Sequence, residues 1–272
     1  MISTSDSTQP SPPVDAIAIV GHGRLDVHEA EERVRAVAAD AGVRVVADPA
    51  EAQLAVALGG DGTILRTLAK LLGTGVPVIG VNFGRVGFLA SIEPERLEAD
   101  LRRVFAGGYL VLEQPTVEAR VDGETFVAVN DVVATSSTLG RMVELAWAVG
   151  GEDLGVVPCD GMICSTPSGS TAYNLSNGGP VLVRGLDAMA ITFIAPHSLH
   201  ARPLVVPRGA EVTVRNATPD VGAAMLVDGH RSAALPPDAT LAIRLGEQRS
   251  LLATLPETTF FGRYRETFTS HP

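Results

Sequence analysis

The sequence predicts an α/β N-terminal domain built on a parallel, doubly wound sheet, followed by a β-rich C-terminal domain. Three observations carry this expectation. Up to about residue 106, short apolar runs of strand length alternate with segments whose apolar residues recur at helical spacing. Beyond Gly108, period-two segments and a hairpin signal take over. With 46% apolar and 19% charged residues in a chain of 272, there is enough apolar surface for one large domain or two modest ones.

Taken in order, residues 1–13 are rich in Ser, Thr and Pro and read as a disordered tail. Residues 16–20 form a short apolar strand, and a helix over 27–41 follows, with Val34, Val37 and Ala41 at helical spacing. A strand over 43–47 comes next. The strand 53–58 runs straight into Gly59-Gly60-Asp61-Gly62-Thr63 and an apolar helix over 64–72. A strand over 76–81 precedes a glycine-punctuated loop and a helix over 94–106, whose Pro94 sits where a first helical turn accepts it. Strands alternating with helices imply parallel pairing. In the second half, segments 117–121 and 125–129 flank Asp122-Gly123-Glu124, a hairpin signal, and further strands are expected over 142–149, 191–194, 211–215 and 240–245. Residues 260–268 carry Phe260, Phe261 and Phe268 beside Arg263 and Arg265, and are expected to pack back onto the first domain. The resulting division is an α/β domain over 14–110, a β-rich domain over 111–255 and a C-terminal segment over 256–272.

Charge narrows the function. Thirty-one acidic against 21 basic residues give a formal charge of −10, so no surplus of cations exists to displace counterions from a nucleic acid. No apolar stretch reaches the ~18 residues that span a bilayer, and the first residues lack the basic start and apolar run of a secretory signal. A soluble, cytoplasmic protein is expected. Cys159 and Cys164 are too few for a disulfide framework; they read as reduced packing residues, on opposite faces if their segment is one strand. Lys70 is the only lysine and follows Ala69, so the Gly-Lys-Ser/Thr ending of a Walker A loop is absent. The same scarcity removes the strand lysine of a protein-kinase core. His197 and His200 lie three apart, but no Cys, His or Glu cluster completes a zinc set. Gly21-His22-Gly23 suggests a turn near a nucleotide, although Asp26 stands where a dinucleotide fingerprint needs its third glycine.

A strand ending in Gly-Gly-Asp-Gly-Thr and opening a helix presents backbone N–H groups to an anion at the positive end of the helix dipole. Asp61 is the informative residue, since a carboxylate beside a phosphate costs repulsion. It is useful there if it takes a proton from an attacking hydroxyl or shares a metal with the phosphate. An ordinary turn with an aspartate N-cap is the simpler alternative. Further along, residues 165–176, STPSGSTAYNLS, hold seven hydroxyl-bearing side chains in twelve. Such density suits a surface lining a polyhydroxyl ligand, or else a Ser/Thr-rich loop before an N-capped helix. Asn130-Asp131 could grip vicinal ribose hydroxyls or form an Asx turn that ends a strand.

The run LGGDGTILRT, residues 58–67, resembles the diphosphate-loop motif shared by NAD kinases, diacylglycerol and sphingosine kinases and, more distantly, phosphofructokinases. The block DGMICSTPSGSTAYNLSNGGP, residues 160–180, resembles the NAD kinase signature, which lipid kinases lack. Weaker likenesses run in family order: NFGRVGFL over 82–89, Asn130-Asp131, HSLHARPLVVP over 197–207, and Asp228-Gly229. This chain departs from the family pattern at Asp131, where glutamate is usual, and at Pro158-Cys159, where a basic residue and glycine are common.

The resemblance implies phosphoryl transfer from ATP or polyphosphate to the adenosine-ribose 2′-hydroxyl of NAD, giving NADP. Asp61 would be catalytic, while Gly59, Gly60, Gly62 and Thr63 would cradle the donor phosphates through backbone amides. Phe88, Asn130, Asp131, Asp160, Ser168, Thr171, Ala172, Tyr173 and Ser176 would contact NAD. With a single lysine, cationic help would come from arginine and from Mg²⁺ or Mn²⁺. A homodimer or homotetramer is implied. The rivals are a kinase of the same superfamily with a lipid or sugar acceptor, and a catalytically weak NAD(P) sensor.

Overall fold

The computed structural model describes residues 11–21, 27–84 and 87–269. The expected tail over 1–13 therefore lies mostly outside the described residues, as does the turn at His22-Gly23. The chain divides into two compact units, Met1–Gln114 together with Arg249–Pro272, and Pro115–Gln248.

The first unit is an α/β layer structure. Its strands β1 (Ala16–Gly21), β2 (Arg44–Val45), β3 (Leu54–Gly59) and β4 (Val78–Asn82) pair in parallel in the order β2-β1-β3-β4. Beyond β4, residues Leu252 and Ala253 add in parallel against Val78 and Ile79. Helices α1 (His28–Asp40) and α3 (Leu97–Phe105) share one face, where Val34, Val37, Leu101 and Val104 pack with Leu54, Val56, Leu58, Ile79 and Val81. Strand side chains alternate, so Gly80 points to the opposite face, and a methyl group there would overlap the Ile64 side chain of α2 (Asp61–Lys70). Helices on both faces make the sheet doubly wound. The strand expected over 43–47 shrinks to Arg44–Val45 because it is an edge strand, paired only with β1. The helix expected from residue 64 starts at Asp61, taking the glycine loop into its first turn.

The second unit is antiparallel. One sheet has the order β12-β11-β10-β7-β14-β15: β7 (Asp131–Ser136), β10 (Gly161–Ser165), β11 (Ala188–Ile194), β12 (Leu204–Pro207), β14 (Ala223–Val227) and β15 (His230–Leu235). The other pairs β16 (Thr240–Thr254) with β13 (Val212–Asn216), then β8 (Val143–Val149) and β9 (Glu152–Cys159). The hairpin of β5 (Leu110–Val121) and β6 (Glu124–Ala128) joins this sheet through β16. Inward residues of both sheets, among them Val117, Val143 and Ile243 against Met162, Ile191 and Met225, form one core. Asp122 and Gly123 take positive φ (50° and 82°), the two-residue turn that matches strand twist. Cys159 ends β9 and Cys164 lies in β10, so the single-strand geometry does not apply; both are buried in this same core.

In the first unit, α5 (Phe260–Phe268) lays Phe260 and Phe268 against Phe88, with ring centroids 6.1 and 5.8 Å apart. Among the described residues, no helix is long and apolar enough to cross a membrane.

Candidate active site

In the first unit the site grows from the carboxyl end of β3. Gly59 closes the strand, and a side chain there would overlap Thr63 on the next helical turn. Glycine thus lets strand and helix meet closely. Gly60 is the N-cap and its carbonyl accepts from Thr63 N–H (2.9 Å) and Ile64 N–H (3.3 Å). The amides of Asp61 and Gly62 precede these bonds and have no intrahelical acceptor. They remain available to an anion. The Thr63 amide, also expected at the donor phosphates, donates to the Gly60 carbonyl and closes the first turn.

Asp61 is not the side-chain N-cap of its helix. Its carboxylate turns instead to the loop after β4, where Oδ2 accepts from Phe88 N–H (2.8 Å) and Oδ1 from Leu89 N–H (3.2 Å). Gly87 permits this approach, because a methyl there would overlap the carboxylate. Two backbone donors orient the group while leaving part of its roughly four lone-pair sites free. Asp61 stays half-buried and Gly62 exposed. Gly60 and Gly84 also approach closely, and Asn82 accepts from Gly84 N–H at 3.1 Å.

Phe88 is the expected nucleotide contact that falls in this unit. Its ring is buried against Phe260 and Phe268, and its backbone amide is what reaches the site. Arg66, which the sequence reading passed over, holds its guanidinium above the first turn of α2, donating to Thr63 Oγ1 (3.3 Å). Its place five residues after Asp61, in the helix that the glycine loop opens, was the available signal.

In the second unit Asn130, Asp131 and Ser168 gather around the start of β7, whereas Asp160 lies beside its other end, its carbonyl accepting from Ser136 N–H (3.0 Å). Asn130 lies in the bend between β6 and β7 and its Oδ1 accepts no backbone amide, as an Asx turn there would require, and Asp131 opens β7. Asp228, at positive φ (47°) before Gly229 in the β14–β15 turn, accepts from the amides of Val129 (2.9 Å), Asn130 (2.7 Å) and Asp131 (3.3 Å). Burial, and then the Asp228 charge, push the Asp131 carboxyl up to about 7. Burial likewise raises Asp228, against the pull of its three amide bonds.

The hydroxyl-rich segment sorts into two groups. Ser165, Thr166 and Ser170 are buried and donate internally, to the carbonyls of Asn130, Val129 and Pro167. They are scaffold, which the sequence reading did not separate from the ligand surface. By contrast, Ser168 Oγ and Asn130 Oδ1 are buried with no hydrogen-bond partner. Orphaned atoms of this kind call for a ligand or ordered water. Gly169 seats them together, since a side chain there would overlap the Asn130 carbonyl. Thr171 is half-buried, and Ala172, Tyr173, Ser176 and Asp160 are exposed. Tyr173 is 45% exposed, which excludes the core-packing alternative.

Comparison with known proteins follows the same two-part layout. The chain matches the model of the ATP-NAD kinase N-terminal domain over residues 24–109 and that of the ATP-NAD kinase C-terminal domain over 129–255. It is 40% identical to an NAD kinase of Heliobacterium modesticaldum over 78% of this chain and 77% of that one. To an NAD kinase of Gemmatimonas aurantiaca it is 36% identical over 84% and 80%. A crystal structure of an Archaeoglobus fulgidus NAD kinase in complex with ATP superposes with TM-score 0.79 at 28% identity, covering 92% of this chain and 98% of that one. A yeast NADH kinase complexed with NADH shares the fold, with TM-score 0.86 at 20% identity over 96% and 89%.

Proposed function

Because the chain belongs to the NAD kinase family, we propose that it transfers the terminal phosphoryl group of ATP to the adenosine-ribose 2′-hydroxyl of NAD, producing NADP. The observation that carries the mechanism is the placement of Asp61, an oriented carboxylate in the first turn of a helix whose leading amides have no intrahelical acceptor. Asp61 takes the proton of the 2′-hydroxyl as the new O–P bond forms. The bond between the terminal phosphorus and its bridging oxygen breaks, and ADP leaves with that electron pair. The amides of Gly60, Asp61 and Gly62 and the guanidinium of Arg66 stabilise charge on the transferring group, the main task in phosphoryl transfer. Asn130, Asp131, Ser168, Thr171, Ala172, Tyr173, Ser176 and Asp160 form the NAD surface, supported by the two orphaned acceptor and donor atoms among them.

A divalent cation fits this donor set in one form. Among the described residues no group of three or more His, Cys, Asp or Glu could hold a metal ion. A Mg²⁺ or Mn²⁺ ion bound to donor phosphates and water, with Asp61 as the one loop carboxylate beside it, suits the preference of Mg²⁺ for few protein ligands. Such an ion would neutralise phosphate charge. Polyphosphate as an alternative donor, a cytoplasmic location and a homodimeric or homotetrameric state are part of the proposal through family likeness. A lipid or sugar acceptor is not favoured, because the signature block lies in the built polar surface of the second unit.

The test is an assay for NADP formed from NAD, run in parallel with ATP and with polyphosphate, with and without EDTA. NADP formation that EDTA abolishes and Mg²⁺ restores is expected. Absence of NADP with either donor refutes the proposal.

A further inference from the structure

Arg263 of α5 reaches the loop that orients Asp61 from its other side. Its guanidinium donates to the Ala90 carbonyl at 2.8 Å and pairs with Glu93 at 3.4 Å. The side chain is 12% exposed, so the charge is largely withdrawn from water. Glu93 in turn accepts from Asn82 Nδ2 at 3.4 Å, and Asn82 Oδ1 accepts from Gly84 N–H at 3.1 Å. Ala90 directly follows Phe88 and Leu89, whose amides hold the Asp61 carboxylate. Three successive residues are thus fixed from two sides, and the Phe88 ring is clamped by Phe260 and Phe268 of the same helix.

We propose that α5 is a brace for the catalytic carboxylate and that Arg263 is a positioning residue for the phosphoryl transfer. The physical reason is geometric. A carboxylate that must meet one hydroxyl loses rate steeply when it shifts by a fraction of an ångström to an ångström. Backbone bonds from Ser91 and Ile92 to the Gly80 carbonyl tie the far end of the loop, while residues 87–90 lie outside regular structure and lean on these side-chain anchors. The Arg263 fork serves the Ala90 carbonyl and the carboxylates of Glu93 and, one turn on in its own helix, Glu266 (3.2 Å) together, which a lysine ammonium does less well.

This inference rests on the kinase reading only for its kinetic arm. Arg263→Met keeps the aliphatic stem and removes the fork. In the full chain, amide hydrogen exchange at Phe88 and Leu89 is expected to accelerate about tenfold, the loss of one charge-assisted hydrogen bond appearing as local opening. With NAD and ATP, kcat is expected to fall about tenfold or more while KM for NAD stays within about twofold. Arg263→Lys should lie between wild type and Arg263→Met on both readouts, and it replaces Arg263→Met should that variant not fold. Unchanged exchange at both amides overturns the brace, whatever the activity, and so does a rise in KM with kcat preserved. A wild-type protein that makes no NADP but shows the faster exchange in the variant refutes the kinase reading and leaves the brace standing.

Discussion

Asp61→Asn separates the chemical role of this carboxylate from its structural one. In the native site both oxygens accept backbone amides. An asparagine offers one carbonyl oxygen and one NH₂, so it satisfies Phe88 or Leu89 and sets a donor against the other. The lost charge-assisted bond and the orphaned N–H cost about 1.5–3 kcal/mol in a buried setting. Asp61 is only half-buried, and water can reach part of the site, so about 1–2 kcal/mol is the better figure. For a chain of this size that lowers Tm by roughly 2–8 °C. Removing the proton acceptor should lower kcat far more, by about 10²–10⁴-fold. Calorimetric titration with NAD should give nearly unchanged affinity, because the proposed NAD surface lies on other residues. NADP formation measured well below the variant's Tm is the assay. A kcat within about threefold of wild type, or a loss explained wholly by weaker NAD binding, would refute the role given to Asp61.

Gly87→Ala places a methyl against the Asp61 carboxylate, and kcat in the same assay should drop about tenfold or more although Asp61 is retained. Gly169→Ala pushes on the Asn130 carbonyl, so titration should show weakened NAD affinity with the phosphate loop intact. Burial raises the Asp131 carboxyl from its usual 3.8 to about 7, so the folded state keeps a proton that the unfolded chain releases. Its stabilisation is complete below pH ~4 and is lost as pH rises toward 7. Asp131→Asn should remove this slope, up to about 1.4 kcal/mol per pH unit, and stabilise the protein at neutral pH in urea titrations. The thiols of Cys159 and Cys164, pushed up to about 12 by burial, should resist a thiol reagent at pH 8 until the protein is unfolded; rapid labelling of the native protein would contradict their placement.

Much of this protein could be read from local pattern. Continuous apolar runs and helical spacing marked β1, β3, β4, α1 and α3, because strands buried on both faces and helices buried on one leave distinct periodicities. The Asp-Gly pair marked the β5–β6 turn, and the glycine run marked the start of the site. Other strands carried no such signal. Every residue of β10 is buried, so GMICS shows no alternation, and β9 is exposed along most of its length. The strand expected to end near residue 245 continues to Thr254 as β16, through Gly246, where a side chain would overlap Thr116.

Residue types and order alone established the α/β-then-β architecture, the glycine-rich strand-to-helix turn and the presence of one carboxylate within it, since each depends on neighbours a few positions apart. Only the tertiary structure decided what that carboxylate touches. Phe88 and Leu89 are 27 and 28 positions away, Arg263 reaches their loop across 173, and Asp228 holds Asn130 across 98. Contacts of that separation arise from how sheets and helices stack, and leave no periodicity along the chain.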